Sequence, residues 1–438
     1  MDFYLAAYNR ILKIFGREIL GILSRKSLKD PVFRKGRLGY YGDVAAAGKL
    51  PVVWFHAASV GEVTGAVPTL HAFGKRVPEA ACLLSTGTPH GLRFARAQLS
   101  GAIPVIPFPL DFPECVERAI TAISPDLFVA FETEFWPNFY NSLAVKGIPA
   151  LLLNGRISES SRRFYGMASP LFSPILGYFD KMAMHSEEDR DRMLRIGVHP
   201  DRLRVLGSSK YEELISKARP EKSDYWKRIL RIGETDGVIV GGSLRGSECV
   251  QLMRVYMSLR EVSPGLVGIF VPRHLQNIPG MVRWLAERNV PFDLLTDIEA
   301  GRRERRASVV LVDRIGVLFE IYSIGDLIFC GGTLEPVGGH NILEPAAWAK
   351  PVFYGPYLKK VLHEHKILQN FGGSRQVRDA EDLQIQWRKY LADRNALAEI
   401  GAGGRRALNS LEGVVEHQVD LIVEMISNRK QKNHNAAT

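Results

Sequence analysis

Four cysteines, Cys82, Cys115, Cys249 and Cys330, are scattered through 438 residues. No two form a Cys-x-x-Cys pair, which argues against a zinc site or a disulfide framework; such thiols fit a reducing cytoplasm, where they pack as small hydrophobes. An uncharged apolar run of ~18 residues is also missing, so no segment reads as a membrane-spanning helix. The apolar N-terminus is broken by Arg10, Lys13, Arg17 and Glu18, and no small-residue cleavage site closes it, so a signal peptide is not expected either. Negative charge falls short of positive: 47 acids against 57 Lys and Arg leave a formal net charge of +10, which points to anionic partners. Otherwise the composition is that of a globular chain, 46% hydrophobic and 24% charged, long enough for two or three domains.

The basic excess is concentrated at the start. Arg10, Lys13, Arg17, Arg25, Lys26, Lys29, Arg34, Lys35, Arg37 and Lys49 outnumber Asp2, Glu18, Asp30 and Asp43. Residues 3–23 carry a helical period in which Arg10, Lys13, Arg17 and Ser24 share one face. Phe3, Leu5, Tyr8, Ile11, Leu12, Phe15, Ile19, Leu20, Ile22 and Leu23 cover most of the rest. A wide apolar face beside a basic stripe is the pattern of an interfacial helix on an anionic membrane. Lipid is therefore the expected partner of residues 1–40, ahead of nucleic acid. The other reading is a helix packed on its own domain.

From Pro51 short apolar runs alternate with helix-like segments. Strands are expected at 52–56, 81–85, 103–106, 127–131, 149–153, 181–184 and 203–206. A second series follows at 237–242, 266–271, 308–312, 326–330 and 351–354. This is the rhythm of parallel α/β sheets. The expected organisation is a domain over 41–211, a charged linker over 212–236, a second domain over 237–428 with C-terminal helices, and a polar tail over 429–438. Two similar α/β halves imply a cleft between them, with ligands at the carboxyl ends of strands.

Those strand ends hold the chemistry-bearing residues. His56-Ala-Ala-Ser59-Val-Gly61-Glu62 places a carboxylate at a strand-to-helix turn, where it reads equally as a helix-capping acid or a general base. Ser85-Thr86-Gly-Thr88 offers hydroxyls and backbone N–H groups to an anion. Glu132-Thr-Glu134-Phe-Trp-Pro carries paired carboxylates, either local ion-pair formers or catalytic groups. Asn154-Gly-Arg156 presents a guanidinium suited to phosphate or carboxylate, and Lys210 follows in Ser-Ser-Lys-Tyr. In the second half Gly241-Gly242-Ser243 reads as a phosphate-cradling turn, Pro272-Arg273-His274 and Ile315-Gly316-Val317 follow strands, and Gly338-Gly339-His340-Asn341-Ile342-Leu343-Glu344-Pro reads as a glycine turn opening a helix, with N–H groups toward phosphate. His340 alone would more often be structural than catalytic.

The strings HAASVGE, ETEFWP, NGRIS, SSKY, VPRH and GGHNILEP, in this order, resemble the 3-deoxy-D-manno-octulosonic acid (Kdo) transferase family. The resemblance implies an α/β GT-B glycosyltransferase of two Rossmann-like domains facing a central cleft, the first binding acceptor and the second binding CMP-Kdo. It implies a lipid A precursor such as lipid IVA as acceptor, and anchorage on the cytoplasmic face of an inner membrane. Glu62 matches the family's general base; Glu132 and Lys210 match positions thought to stabilise the transition state. Pro272, Arg273, Ile315, Gly316, Val317, Asn341, Ile342, Leu343 and Glu344 match the CMP-binding segments. Ser59, Gly61, Thr86, Thr88, Arg156, Gly242, Ser243, Gly339 and His340 are further candidate contacts to donor or acceptor. No metal and no cofactor are expected, because a CMP-sugar leaves with a single phosphate. Three departures stand out: Arg245 where many members have histidine, Ser160 for a common arginine, and Gly36 for a glutamate. The rival readings are another nucleotide-sugar enzyme, such as a UDP-sugar transferase or epimerase, and a membrane-bound binding protein without catalysis.

Overall fold

The computed structural model describes residues 2–26, 30–42 and 50–437. Two compact units are present: Met1–Glu212 with Gly413–Thr438, and Glu213–Glu412.

The first unit holds β1 (Val52–His56), β2 (Ala81–Thr86), β3 (Val105–Pro107), β4 (Leu127–Phe131), β5 (Ala150–Gly155), β6 (Phe179–Met184) and β7 (Leu203–Val205). They form one sheet in the order β3-β2-β1-β4-β5-β6-β7, and every pairing is parallel. Central strands such as LFVAF are buried along their length because helices cover both faces, which is why they read as unbroken apolar runs. Successive side chains feed opposite cores: Trp54 and Phe128 pack with Phe108 and Phe139 on one face, Phe55 and Val129 with Leu70 and Phe73 on the other.

The second unit repeats the plan with β8 (Gly237–Leu244), β9 (Leu266–Pro272), β10 (Phe292–Leu294), β11 (Val309–Leu311), β12 (Leu327–Cys330), β13 (Val352–Tyr354) and β14 (Ser374–Gln376). The order is β10-β11-β9-β8-β12-β13-β14, again all parallel. The parallel α/β fold read from the sequence is present in both units. β10 and β14 are additions to it. They are three-residue edge strands, FDL and SRQ, too short and too polar for the pattern to show.

Several boundaries differ from the sequence reading. The segment 212–236 is not a bare linker: it holds the helices Glu213–Lys217 and Pro220–Ile229. Trp226 of the latter is buried and donates from Nε1 to Glu320 Oε2 at 2.9 Å, which makes this stretch part of the second unit. The C-terminal helix Val414–Ala437 belongs to the first unit and runs through the stretch expected to be a polar tail. Val419, Ile422 and Met425 join the core with Leu70 and Phe73. The wholly buried Gln418 accepts from Thr69 Oγ1 at 2.7 Å and donates to Asn154 Oδ1 at 2.8 Å. Glu212, where the chain leaves the first unit, accepts from the backbone N–H groups of Gly413 (3.1 Å) and Val415 (2.7 Å), where it returns. A carboxylate from elsewhere in the chain thus caps the final helix.

The N-terminal helix Asp2–Lys26 is packed on its own unit through polar groups. Tyr8 donates to Asp111 Oδ2 at 3.0 Å, and Asn138 donates to Asn9 Oδ1 at 2.7 Å. Gly16 sits where a Cβ would lie 3.1 Å from the Phe112 ring. Phe3, Tyr4, Ile11 and Ile14 remain exposed, as do Arg10 and Lys13. The side chains of Arg17 and Ser24 lie outside the described residues. Among the described residues no helix is long and apolar enough to cross a membrane.

Candidate active site

Parallel α/β sheets bind ligands beyond the carboxyl ends of strands where the strand order reverses. In the first unit that point lies between β1 and β4. The loop after β1 leads into the helix Val60–Arg76, capped by Ser59. Glu62, on the first turn, accepts from the Ala58 N–H (2.7 Å) and from Ser59 Oγ (2.8 Å), a variant of the capping box. The capping reading of Glu62 is therefore right as far as it goes. The same carboxyl has its pKa pushed up to about 8, because burial penalises its charge and Glu134 and Glu132 add negative potential; the two capping hydrogen bonds oppose the shift without cancelling it.

Glu132 and Glu134 come from the loop after β4. Glu132 adopts a left-handed backbone, φ 60°, which a non-glycine residue holds only where its surroundings compel it; its N–H is fixed on Leu153 O at 2.9 Å. Burial raises the Glu132 pKa, against the pull of Arg156 and Lys210. Glu134 goes the other way. Burial alone would raise it, but hydrogen bonds from His56 and Trp136 and the nearby Arg37 hold it below the ordinary carboxylate value. His56 is buried, its Nε2 3.3 Å from Glu134 Oε2 and its Nδ1 3.0 Å from Ser85 Oγ, with its ring stacked on Phe108. Glu62 and Glu134 are thus neighbouring carboxyls whose pKa values are driven apart, the first up and the second down.

Lys210 reaches this cluster because the turn Ser209–Tyr211 presses on the helix that carries Glu62. Ser209 Oγ donates to Gly65 O at 2.6 Å. A Cβ on Gly65 would lie 2.8 Å from Asn154 Nδ2 and 3.9 Å from Lys210 Cβ, so glycine permits the approach. Thr133 Oγ1 hydrogen-bonds Arg156 O, joining the loops after β4 and β5. Glu62, Glu132, Glu134, Arg156 and Lys210 thus assemble beyond the carboxyl ends of the sheet's strands. Thr88 serves the fold instead, capping the helix Pro89–Leu99 by accepting from Gly91 N at 3.0 Å. Thr86 is the buried last residue of β2, and Gly61 is the second residue of the Glu62 helix.

In the second unit the strand order reverses between β8 and β12. Two expectations fail here. Gly241-Gly242-Ser243 is not a turn after a strand, because β8 continues to Leu244. Gly242 is a strand residue on which a Cβ would lie 2.1 Å from the Tyr322 hydroxyl, while Ser243, at φ 57°, falls at an irregularity in the pairing with β9. Nor does an α-helix open after Gly339. The chain turns through Gly338 and Gly339 with φ of 93° and 86°, and only a 3-10 turn, Pro345–Trp348, follows. Asn341 organises that passage: Oδ1 accepts from Leu343 N and Nδ2 donates to Glu344 Oε1, each at 3.1 Å. Ile342 and Leu343 are wholly buried and can offer a ligand only backbone groups. Pro272 closes β9 and Arg273 is exposed just past it, its N–H donating to Leu244 O at 2.8 Å. Ile315 is exposed, Gly316 has φ 100° and Val317 is buried, ahead of the short helix Leu318–Ile321.

A family model described as "3-Deoxy-D-manno-octulosonic-acid transferase (kdotransferase)" matches residues 34–213. A 3-deoxy-D-manno-octulosonic acid transferase of Chlamydophila psittaci is 32% identical over 317 residues, 70% of this chain and 70% of that one. The chain belongs to the Kdo transferase family. The enzyme of the same description from Haemophilus influenzae is 26% identical over 95% of this chain and 97% of its own length. Against a bifunctional glycosyltransferase/methyltransferase of Fusobacterium nucleatum, 31% identical over 76% of this chain, the chain spans about half the relative's length, 51%. Among solved structures, a glycosyltransferase from Rickettsia africae superposes with a TM-score of 0.57 at 15% identity, over 87% of this chain and all of that one; the likeness is one of fold.

Family motifs do not account for everything at these strand ends. Glu248, buried completely, accepts four backbone N–H groups: Arg245 (2.8 Å) and Gly332 (2.6 Å) on Oε2, Thr333 (2.9 Å) and Leu334 (2.8 Å) on Oε1. It fixes the loops after β8 and β12 to one another. Sequence reasoning passes over Glu248 because a lone glutamate at a helix start looks like a surface cap. His56 and Glu134 stand within sequence motifs, but nothing local pairs them, since the contact spans 78 positions.

Proposed function

We propose that this Kdo transferase family member moves Kdo from CMP-Kdo to a lipid A precursor such as lipid IVA, with Glu62 as general base. The observation that carries the reading is the Glu62–Glu132–Glu134 cluster at the strand-order reversal of the first unit. One of its carboxyls has a pKa raised to about 8, suited to accept a proton near neutral pH.

In the proposed reaction a primary sugar hydroxyl gives its proton to Glu62 while its oxygen bonds to the anomeric carbon of Kdo. The bond from that carbon to the phosphate oxygen breaks, and its electron pair leaves with CMP. One displacement inverts the anomeric centre. Charge developing on the leaving phosphate is met by Lys210 and Arg273, and Asn341 to Glu344 hold the nucleotide, Glu344 on the ribose hydroxyls. The family resemblance of VPRH and GGHNILEP supports the donor half of this assignment. A monophosphate leaving group needs no divalent ion to neutralise a pyrophosphate, so EDTA is expected to leave turnover intact.

The proposed acceptor stays in a bilayer, and the place of work is the cytoplasmic face of an inner membrane. Exposed Phe3, Tyr4, Ile11 and Ile14 beside Arg10 and Lys13 support this reading, as interfacial helices combine apolar burial with basic charge. Glu62→Gln tests the chemistry. Turnover is expected to fall about 10²–10⁴-fold while CMP still binds; a variant with most of its activity would reject the role.

A further inference from the structure

Arg245 follows β8 and His340 lies in the passage after β12, the two strands between which the order of the second sheet reverses. Arg245 donates from Nε to His340 Nε2 at 2.9 Å. A guanidinium only donates, so the imidazole proton must sit on Nδ1 and the ring is neutral. The surroundings enforce this: burial first, then Arg245, Arg273, Lys360 and His274, push the His340 pKa down to about 4. With Nε engaged, the two terminal nitrogens of Arg245 have no hydrogen-bond partner among the described residues, and they form the edge that grips anions.

This arginine is built into place. Its N–H is held by Glu248, whose carboxylate takes three further backbone donors and makes no hydrogen bond to the guanidinium. Glu335 accepts from the Ser247 N–H and hydroxyl through Oε1. The His340 ring lies over Gly332, where a Cβ would come within 2.8 Å of it. The Gly339 N–H is fixed on Gly332 O at 2.7 Å. A fixed guanidinium, a neutral imidazole and three further basic side chains at a strand-order reversal make a place for an anion.

We infer that Arg245 binds the phosphate of the nucleotide donor, with His340 as its positioning residue, in place of the helix N-terminus that this chain lacks after Gly339. The inference rests on the CMP-sugar reading of the second unit. Its test compares wild type with Arg245→Met and Arg245→Lys, titrating CMP, cytidine and inorganic phosphate by calorimetry and thermal shift. Arg245→Met is expected to weaken CMP about 10–100-fold, as for loss of charge-assisted hydrogen bonds, to abolish protection by inorganic phosphate, and to leave cytidine binding unchanged. Arg245→Lys keeps the charge without the fork and should recover only part. His340→Leu, which frees the guanidinium, should weaken CMP by a smaller factor and again spare cytidine. Unchanged CMP affinity in Arg245→Met, or equal losses for CMP and cytidine, overturns the assignment. Wild type that binds phosphate through Arg245 but not CMP would instead sink the donor reading and leave the anion site standing.

Discussion

Glu62 combines two roles usually assigned to different residues. It completes the cap of its helix and is also the carboxyl whose charge its surroundings resist. A carboxyl raised from 4.5 to about 8 holds its proton more tightly in the folded protein than in the unfolded chain. Its contribution to stability is complete below about 4.5 and is lost as pH rises through about 8. Glu62→Gln, neutral at every pH, is therefore expected to raise Tm by a margin that widens from about pH 5 to about pH 9. A pH-independent difference in thermal melts would mean the charge is not destabilised. For catalysis the direction reverses: kcat/KM should climb with pH and level off above about 8 as the base ionises. Lys210 and Glu344 should separate in steady-state kinetics. Lys210→Ala is expected to lower kcat, because the leaving charge peaks in the transition state. Glu344→Ala is expected to raise KM, because ribose is held equally before and during reaction; the reverse pattern would exchange their roles.

At the scale of elements, the period of the N-terminal helix reads as a wide apolar face beside a basic stripe; among its described side chains Arg10 and Lys13 are exposed, while Tyr8 and Asn9 turn inward through polar contacts. Periodicity locates a helix and its faces, but the partner decides which face turns inward. Here Asp111, buried and with its pKa raised to about 7 chiefly by burial, draws Tyr8 inward. Tyr8→Phe should cost about 1–2 kcal/mol in urea unfolding and speed proteolysis of the helix; no change would mean the contact is idle. Ile11→Glu combined with Ile14→Glu alters exposed positions, so stability should hold within about 0.5 kcal/mol while flotation on anionic liposomes falls. Flotation equal to wild type would put the membrane-contacting surface elsewhere. The interior strands are legible because strands covered on both faces must be apolar throughout, and the edge strands β3 and β7 because they fall within the largely apolar runs IPVI and LRVL. The edge strands β10 and β14, FDL and SRQ, sit in no such run. The Gly-Gly-Ser and Gly-Gly-His-Asn passages mislead for one reason: glycine signals close approach or left-handed backbone, and the sequence does not say which. Gly242 answers to the Tyr322 hydroxyl, Gly339 to its φ of 86°.

On the scale of the whole molecule, the two sheets are readable as two α/β units, while the path of the chain between them is not. Residues 213–236 join the second unit and the final helix returns to the first, arrangements fixed by long-range burial of Trp226, Gln418 and Ile422 that no local pattern announces. The Glu62 cluster belongs to the first unit and the Arg245–His340 pair to the second, and the proposed reaction needs both. Mass spectrometry of lipid IVA incubated with CMP-Kdo and the enzyme tests this most directly. Wild-type protein should add Kdo to the acceptor with release of CMP, in the presence of EDTA as well as without it, and Glu62→Gln should add none on the same time scale. Unmodified lipid with the wild type, or equal product from Glu62→Gln, would contradict the account.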